Sequence, residues 1–212
     1  VHGQVLPSTL DRIFLVAEHE DGTKTTGQAL IAKSEKRIKR LELKPQPEPV
    51  AADIRKAIEE ADLIVLGPGS LYTSVLPNLM IDGMAEALAK SKARKVFVCN
   101  IMTYEGETRG FDLPDFLRTI DGHTAPHHVY DHVLVHKGEF GFSAAESKVQ
   151  AQGSDGKTWT INDKTARVVQ YNSKEYADKL VLIEADVVNP AYPIRHDSGK
   201  LAKALLELIK EG

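Results

Sequence analysis

The spacing of apolar residues divides the chain into two parts. In the first part, short runs of strand-forming residues are separated by polar turns, at residues 12–19, 25–31 and 38–43. Asp21-Gly22 lies between the first two runs, and this dipeptide is typical of a hairpin turn. We therefore expect a small antiparallel β piece over residues 1–44. Prolines at positions 45, 47 and 49 follow it and predict a linker, because proline fits neither a helix interior nor a central strand.

From residue 50 onward, continuous apolar runs alternate with stretches of helical spacing. Some runs have the length and composition of buried strands, at residues 63–66, 95–99, 133–135 and 180–184. Helical spacing occurs at residues 54–61, 81–88 and 197–210. Strands joined through helices pair in parallel with right-handed crossovers, so residues 50–212 predict an α/β part built on a parallel sheet. We expect a single domain over residues 1–212, in which residues 137–179 predict no definite element beyond a turn at 153–156.

Composition and charge exclude several classes of protein. The 212 residues are 42% hydrophobic and 27% charged, which is ordinary for a globular chain and excludes a disordered one. No run approaches the roughly 20 apolar residues that cross a bilayer, so we expect no membrane span. The net charge of −3 argues against a nucleic-acid-binding protein. Cys99 is the only cysteine, which excludes an internal disulfide and a cysteine-based metal site and suits a reducing cytoplasm.

A glycine-rich segment follows the strand predicted at 63–66. In open parallel sheets, ligands bind beyond the carboxyl ends of the strands, and glycines allow the backbone to turn sharply and approach a ligand. Hydroxyl groups and backbone amides in such a turn attract phosphate. We therefore interpret this segment as a phosphate or ribose cradle, with candidate residues Gly67, Pro68, Gly69, Ser70, Leu71, Thr73 and Ser74. The alternative is a tight turn in which a serine caps the following helix.

A second polar segment, residues 100–109, follows the next predicted parallel strand. Because the carboxyl ends of neighbouring parallel strands meet at one sheet edge, this segment should lie beside the glycine-rich turn. Its carboxylates could bind ribose hydroxyls, hold a metal ion or begin a proton transfer. The alternative is an exposed loop whose charges are only solvated. The candidate ligand contacts are Asn100, Met102, Thr103, Glu107 and Thr108.

The third candidate segment, residues 195–198, precedes the last predicted helix. Arg195 could bind a phosphate through its planar guanidinium group. Asp197 or Ser198 could instead cap the helix, and a His196–Asp197 acid–base dyad is the weaker hypothesis because adjacent residues rarely face each other. The five histidines between positions 123 and 136 lack the spacing of a rigid ligand set, so we predict no metal site. No catalytic residue is assigned from the sequence.

Residues 61–79 carry the most specific pattern in the chain. They read ADLIVLGPGSLYTSVLPNL, and they resemble the signature of the YvcK branch of the CofD-like superfamily, whose members are called gluconeogenesis factors. The resemblance extends, in the same order, to GQVLPST at 3–9, VCNIMT at 98–103, GET at 106–108 and IRHD at 194–197. It covers the chain up to about residue 136 and again from about 180 to 210, and it is poor in between.

The resemblance implies a Rossmann-like parallel sheet with helices on both faces, related to the 2-phospho-lactate transferases. It also implies a cytoplasmic regulator that binds a nucleotide sugar of the UDP-N-acetylglucosamine type and acts in carbon metabolism, cell-wall precursor supply and cell shape. We expect no required cofactor, a homo-oligomer, and protein partners in amino-sugar metabolism. One alternative is a transferase that uses a nucleotide-linked donor through Glu105 and Glu107. Another is an interaction module that binds no ligand.

Parts of the family pattern are absent or changed. Family members begin with a strand and a Gly-Gly-Thr-Gly loop and then carry Asp-Asp-Gly-Gly-Ser-Ser-Gly, and neither motif occurs here. We therefore expect the chain to match the C-terminal two-thirds of a family member and to have an incomplete phosphate site. The family's Gln-Pro is replaced here by Tyr104-Glu105, which removes any contact from that glutamine.

Overall fold

Two sheets of different type organise the chain in the computed structural model, which describes residues 3–138, 149–152, 158–161, 167–172, 174 and 180–210. The first sheet is antiparallel and contains β1 (Phe14–His19), β2 (Lys24–Thr26) and β3 (Ile38–Lys44). Its strand order is β2-β1-β3, so β1 pairs with a neighbour on each side. The predicted antiparallel piece and its hairpin between the first two strands are confirmed.

The strand predicted at 25–31 is wrong in its second half. β2 ends at Thr26, and α1 (Gln28–Ile31) follows it as a single helical turn. Gly27 lies between the two with a φ of 100°, in the left-handed region that favours glycine and interrupts a strand. Ile31 at the end of the turn is completely buried. The apolar positions that indicated one long strand therefore belong to two elements.

The second sheet is parallel and carries the predicted α/β part. Its strands are β4 (Leu63–Leu66), β5 (Arg94–Val98), β6 (His132–His136) and, after two intervening strands, β9 (Val181–Ala185). The order is β4-β5-β6-β9, and every neighbouring pair is parallel. The apolar runs of the central strands β5 and β6 are continuous because side chains on both faces are covered, whereas the edge strands β4 and β9 are partly exposed.

Two short antiparallel pairs complete the described strands. β7 (Val149–Gln152) pairs with β8 (Thr158–Ile161), inside the stretch for which no definite element was predicted. The turn predicted at 153–156 lies outside the described residues. β10 (Val188–Asn189) pairs with β11 (Tyr192–His196), and the end of β11 contributes to the candidate site.

Helices cover both faces of the parallel sheet, as predicted. They are α2 (Ala52–Glu59), a π-helical turn (Leu71–Val75) that continues into α3 (Leu76–Leu79), α4 (Met84–Lys90), α5 (Leu113–Thr124) and α6 (Ser198–Lys210). Phe97 and Cys99 pack into the larger core cluster with residues of α2 to α5. Val96 and Val98 pack instead with Leu208 of α6. No helix in the described part of the chain is long and apolar enough to cross a membrane.

The sequence analysis missed α5, although its signal is local. Leu113, Phe116 and Ile120 are buried at helical spacing along one face. The helix begins with a reciprocal capping box, in which the side chains of Asp112 and Asp115 accept each other's backbone N–H. An acidic residue three positions after the cap, followed by this apolar spacing, could have predicted the helix from the sequence.

Candidate functional site

A cleft of about 480 Å³ opens where β4 and β5 end. Residues line it from the segment after β4, the segment after β5 and the end of β11. The site residues predicted from the sequence that line this cleft are Pro68, Gly69, Ser70, Leu71, Asn100, Met102, Glu107, Thr108 and Arg195. The remaining predicted site residues, which are not part of its lining, are Gly67, Thr73, Ser74 and Thr103.

Some lining residues were not proposed from the sequence. They are Ala32, Ile101, Tyr104 and Ile194. His196 also lines the cleft and was considered only as part of the weaker dyad hypothesis. Most of these residues lie beside a proposed residue in the chain, so the predicted segments meet at the cleft together with neighbouring positions that were not named. Ala32 is different, because it comes from the antiparallel piece and follows α1, where no sequence signal marked a site.

The turn after β4 requires a glycine at position 67. Gly67 has a φ of 78°, and a β-carbon there would lie 3.2 Å from the carbonyl oxygen of Val98. Gly69 has no such backbone angle, and a β-carbon there would make only ordinary contacts, the nearest at 3.5 Å from Ser74. The turn itself therefore depends on Gly67, which corrects the expectation that both glycines serve it. Gly69 still lines the cleft.

The side chain of Asn100 holds the glycine-rich segment from the neighbouring strand. Its Nδ2 donates to the carbonyl oxygen of Gly69 at 2.9 Å, and its Oδ1 accepts the N–H of Gly69 at 3.3 Å. This paired arrangement ties the ends of β4 and β5 together at the cleft. Asn100 thus fixes the shape of the glycine-rich segment and also lines the cleft.

Glu107 makes a second attachment to the glycine-rich segment. Its Oε2 accepts the N–H of Tyr72 at 2.9 Å, and its Oε1 accepts the hydroxyl of Thr73 at 2.5 Å. Glu107 is only 9% exposed, and Thr73 is buried as well. No side chain of Ser70 or its neighbours caps the π-helical turn, so the capping role falls to a carboxylate from another segment. This differs from the serine-capped turn considered in the sequence analysis.

Two threonines of the polar segment at residues 100–109 fix its backbone through hydrogen bonds. The hydroxyl of Thr103 accepts the N–H of Arg167 at 3.0 Å, and the N–H of Thr103 donates to the carbonyl of Arg167 at 2.7 Å. The hydroxyl of Thr108 accepts the N–H of Tyr104 at 3.0 Å. Both threonines are almost completely buried. Their hydroxyls therefore keep the segment folded, and only Thr108 also lies against the cleft.

Arg195 and His196 close the cleft on the side of β11. Arg195 is exposed, and no residue in the described ranges forms an ion pair with it. Burial lowers the pKa of His196, so this ring is neutral near pH 7. Asp197 accepts the N–H of Lys200 through Oδ1 at 2.9 Å, so it caps α6, as the simpler of the two sequence-based hypotheses predicted.

His123 has a structural role between α5 and β3. His123 of α5 accepts the N–H of Leu41 through Nε2 at 3.1 Å and donates through Nδ1 to the carbonyl of Thr119 at 2.7 Å. This arrangement suits the neutral ring, and burial lowers the pKa of His123. Among residues 3–138 and the other described ranges, no group of three or more His, Cys, Asp or Glu side chains could hold a metal ion.

The cleft combines one cation with polar backbone and apolar walls. Leu71, Ile101, Met102 and Ile194 supply apolar surface, and Tyr104 presents a ring that is 41% exposed. Such a surface can bind a flat ring or a sugar face, while an arginine and loop amides can donate hydrogen bonds to phosphate oxygens. The arrangement suits binding of a phosphate-bearing ligand with a nonpolar face.

The parallel sheet with helices on both faces defines an α/β fold class, and within it the chain belongs to the CofD family. The family model, described as 2-phospho-L-lactate transferase CofD, matches residues 1–181. This match and the relatives below confirm the resemblance on which the fold prediction partly rested.

The relatives of the chain are gluconeogenesis factors. It is 39% identical over 207 residues to the gluconeogenesis factor of Halalkalibacterium halodurans, covering 98% of this chain and 61% of the relative. It is 35% identical over 214 residues to the gluconeogenesis factor of Bacillus subtilis, covering 100% and 63%. A crystal structure of a UPF0052 family member from Bacillus halodurans superposes with a TM-score of 0.80 at 37% identity, covering 97% of this chain and 62% of that one. The chain thus spans about three fifths of the length of these relatives.

Proposed function

We propose that the cleft binds a nucleotide sugar of the UDP-N-acetylglucosamine type and that the protein is a regulator of carbon and cell-wall precursor metabolism. The observation that carries the proposal is the cleft of about 480 Å³, in which a glycine-rich segment held by Asn100 and Glu107 faces the exposed guanidinium group of Arg195. Loop amides and an arginine are the groups that proteins use for a diphosphate. The gluconeogenesis-factor relatives support a role in carbon metabolism.

The position of the carboxylates favours binding over catalysis. Glu107 lines the cleft, but both of its oxygens accept hydrogen bonds from the glycine-rich segment. Glu105 is absent from the lining, and its carboxylate lies 3.8 Å from the guanidinium group of Arg109. A general base needs to reach the proton that it removes. Glu105 does not line the cleft, and the Glu107 carboxylate is oriented by its two hydrogen bonds to the loop.

The family's transferase description supports a second candidate function in the same cleft. In that case the protein would transfer a group from a nucleotide-linked donor, and turnover of the donor would be measurable. Under either function we expect a homo-oligomer, and for the regulator also protein partners in amino-sugar metabolism and an effect on cell shape.

Titration calorimetry with the variants Arg195→Ala and Arg195→Lys tests the proposal. We expect UDP-N-acetylglucosamine to bind the wild-type protein, and Arg195→Ala to weaken binding about 10- to 150-fold, as expected for losing a charge-assisted hydrogen bond of about 1.5–3 kcal/mol. Arg195→Lys should lose less, because it keeps the charge but not the planar fork. UDP, GDP and N-acetylglucosamine 1-phosphate measured in parallel separate the contributions of base, phosphate and sugar.

Arg118→Ala is the matched control, because Arg118 is exposed on α5, pairs with Asp115 and takes no part in the cleft. It should bind like the wild type. If none of the nucleotides or nucleotide sugars binds, the proposed function is wrong. If they bind and both Arg195 variants match the control, the ligand lies elsewhere. Release of free nucleotide from the donor during the titration would favour the transferase.

A further inference from the structure

Glu107 lies in a segment, residues 105–108, that separates two concave surfaces of the protein; we call this segment the wall. On one side Glu107 lines the cleft, and on the other it lines a groove of about 410 Å³ formed by residues 35–37, 105–107 and 109–111. Because open space lies on two sides, packing holds Glu107 from fewer directions than it would hold a residue enclosed in the core. The two hydrogen bonds from Tyr72 and Thr73 to the Glu107 carboxylate are therefore important in fixing it.

The wall also packs closely against the antiparallel piece. Gly106, directly before Glu107, lies so close to the backbone of Ala32 that a β-carbon would overlap the Ala32 carbonyl group. On the other side of Glu107, Tyr72 extends toward the same piece, and its hydroxyl donates to the carbonyl oxygen of Ile38 in β3 at 3.5 Å. Glu107 thus connects the glycine-rich segment to a wall that the antiparallel piece holds in place.

We propose that Glu107 is a positioning residue, which holds the π-helical turn and so keeps the glycine-rich segment in the shape that accepts phosphate. This inference rests on the proposed function of the cleft. Each carboxylate oxygen accepts a hydrogen bond from the loop, so the carboxylate orients the loop whether or not a ligand is bound. A bare carboxylate facing a diphosphate would also be repelled by it, whereas one engaged by an N–H and a hydroxyl is partly neutralised. The role therefore differs from the sugar contact or base that the sequence suggested.

Three substitutions separate positioning from direct contact. Glu107→Ala removes both acceptors. Glu107→Gln keeps an acceptor for the Tyr72 N–H, and its amide can donate to the Thr73 hydroxyl, so it should preserve the turn without the charge. Thr73→Val removes one of the two bonds at nearly constant volume. Glu105→Ala is the control, since Glu105 is a carboxylate of the same segment that does not line the cleft.

Hydrogen exchange of the Tyr72 amide tests the inference without any ligand. We expect its protection to fall at least about 10-fold in Glu107→Ala and to be retained in Glu107→Gln and Glu105→Ala. In calorimetry with UDP-N-acetylglucosamine, the Kd of Glu107→Ala should rise about 10- to 100-fold, the factor that applies when only about 10% to 1% of the molecules keep the competent loop. Glu107→Gln should restore most of the affinity, and Thr73→Val should be intermediate.

Failure of this inference can be told apart from failure of the proposed function. If the wild-type protein binds no nucleotide sugar, the proposed function fails, and the exchange experiment still decides whether Glu107 holds the turn. If Glu107→Ala retains both Tyr72 protection and affinity, the inference is wrong. It is equally wrong if Glu107→Gln keeps the protection but binds as weakly as Glu107→Ala, because the charge would then act on the ligand directly. If Glu107→Ala does not fold, the comparison of Thr73→Val with Glu107→Gln decides instead. The inference expects weaker binding in Thr73→Val than in Glu107→Gln, and equal affinity would contradict it.

Discussion

Replacing Gly106 with alanine should destabilise the protein and disturb the cleft at the same time. Gly106 does not have a left-handed backbone angle, so an alanine would not be strained by its own conformation. Its β-carbon would instead overlap the carbonyl group of Ala32, which is backbone and cannot rotate away. Either the wall or the segment after α1 must shift. Overpacking of this kind costs about 1–3 kcal/mol, and the reduced entropy of the unfolded chain offsets about 0.4–1 kcal/mol of it.

A net loss of about 1 kcal/mol should lower the Tm by about 2–4 °C in a chain of this size, which calorimetry or circular dichroism can measure. Gly122→Ala is the control, because Gly122 lies in α5, where a β-carbon would have no neighbouring atom within 4 Å, and alanine should gain about 0.5–1 kcal/mol as a helix residue. Because the wall carries Glu107, Gly106→Ala should also weaken nucleotide-sugar binding. An unchanged Tm together with unchanged binding would refute the packing described for this wall.

Two further predictions concern buried titratable groups. Burial lowers the pKa of His123, His136 and His196, so the unfolded chain binds more protons below its histidine pKa of about 6.5, and stability should fall as the pH is lowered from about 7 toward about 5. Urea unfolding across that range should show a shallower decline for His123→Gln, and an identical slope would contradict the buried neutral ring. Burial raises the pKa of the Cys99 thiol, so a thiol reagent should label the native protein only as fast as it unfolds, whereas rapid native labelling would show that Cys99 is accessible.

Local patterns predicted most of the elements that carry the site. The runs at 63–66 and 95–99 predicted β4 and β5 because continuous apolar stretches are typical of strands in a covered parallel sheet. β5 is buried on both faces, whereas β4 lies at the sheet edge and is partly exposed. The polar segments that follow them were expected at one sheet edge because parallel strands bring their carboxyl ends together. The cleft lies at that edge.

Local patterns gave a wrong prediction where the same residues are compatible with either a strand or a helical turn. The stretch from Thr25 to Ile31 has the composition of a strand, but Gly27 turns the backbone and a helical turn follows. The choice between the two depends on burying Ile31 in the core, which is a tertiary contact. For α5 the situation was the reverse, since the capping box and the apolar spacing were present in the sequence and were overlooked.

The sequence alone thus determined the order of the strands along the chain, the α/β class, and the two segments that meet at the cleft. Only the tertiary structure decided what each side chain does there. Glu107 contacts Tyr72 and Thr73, and Asn100 contacts Gly69, across more than 30 positions of the chain. The physical reason is that hydrogen-bonding capacity belongs to a residue, but its partner is chosen by the packing of distant segments, such as Gly106 against Ala32.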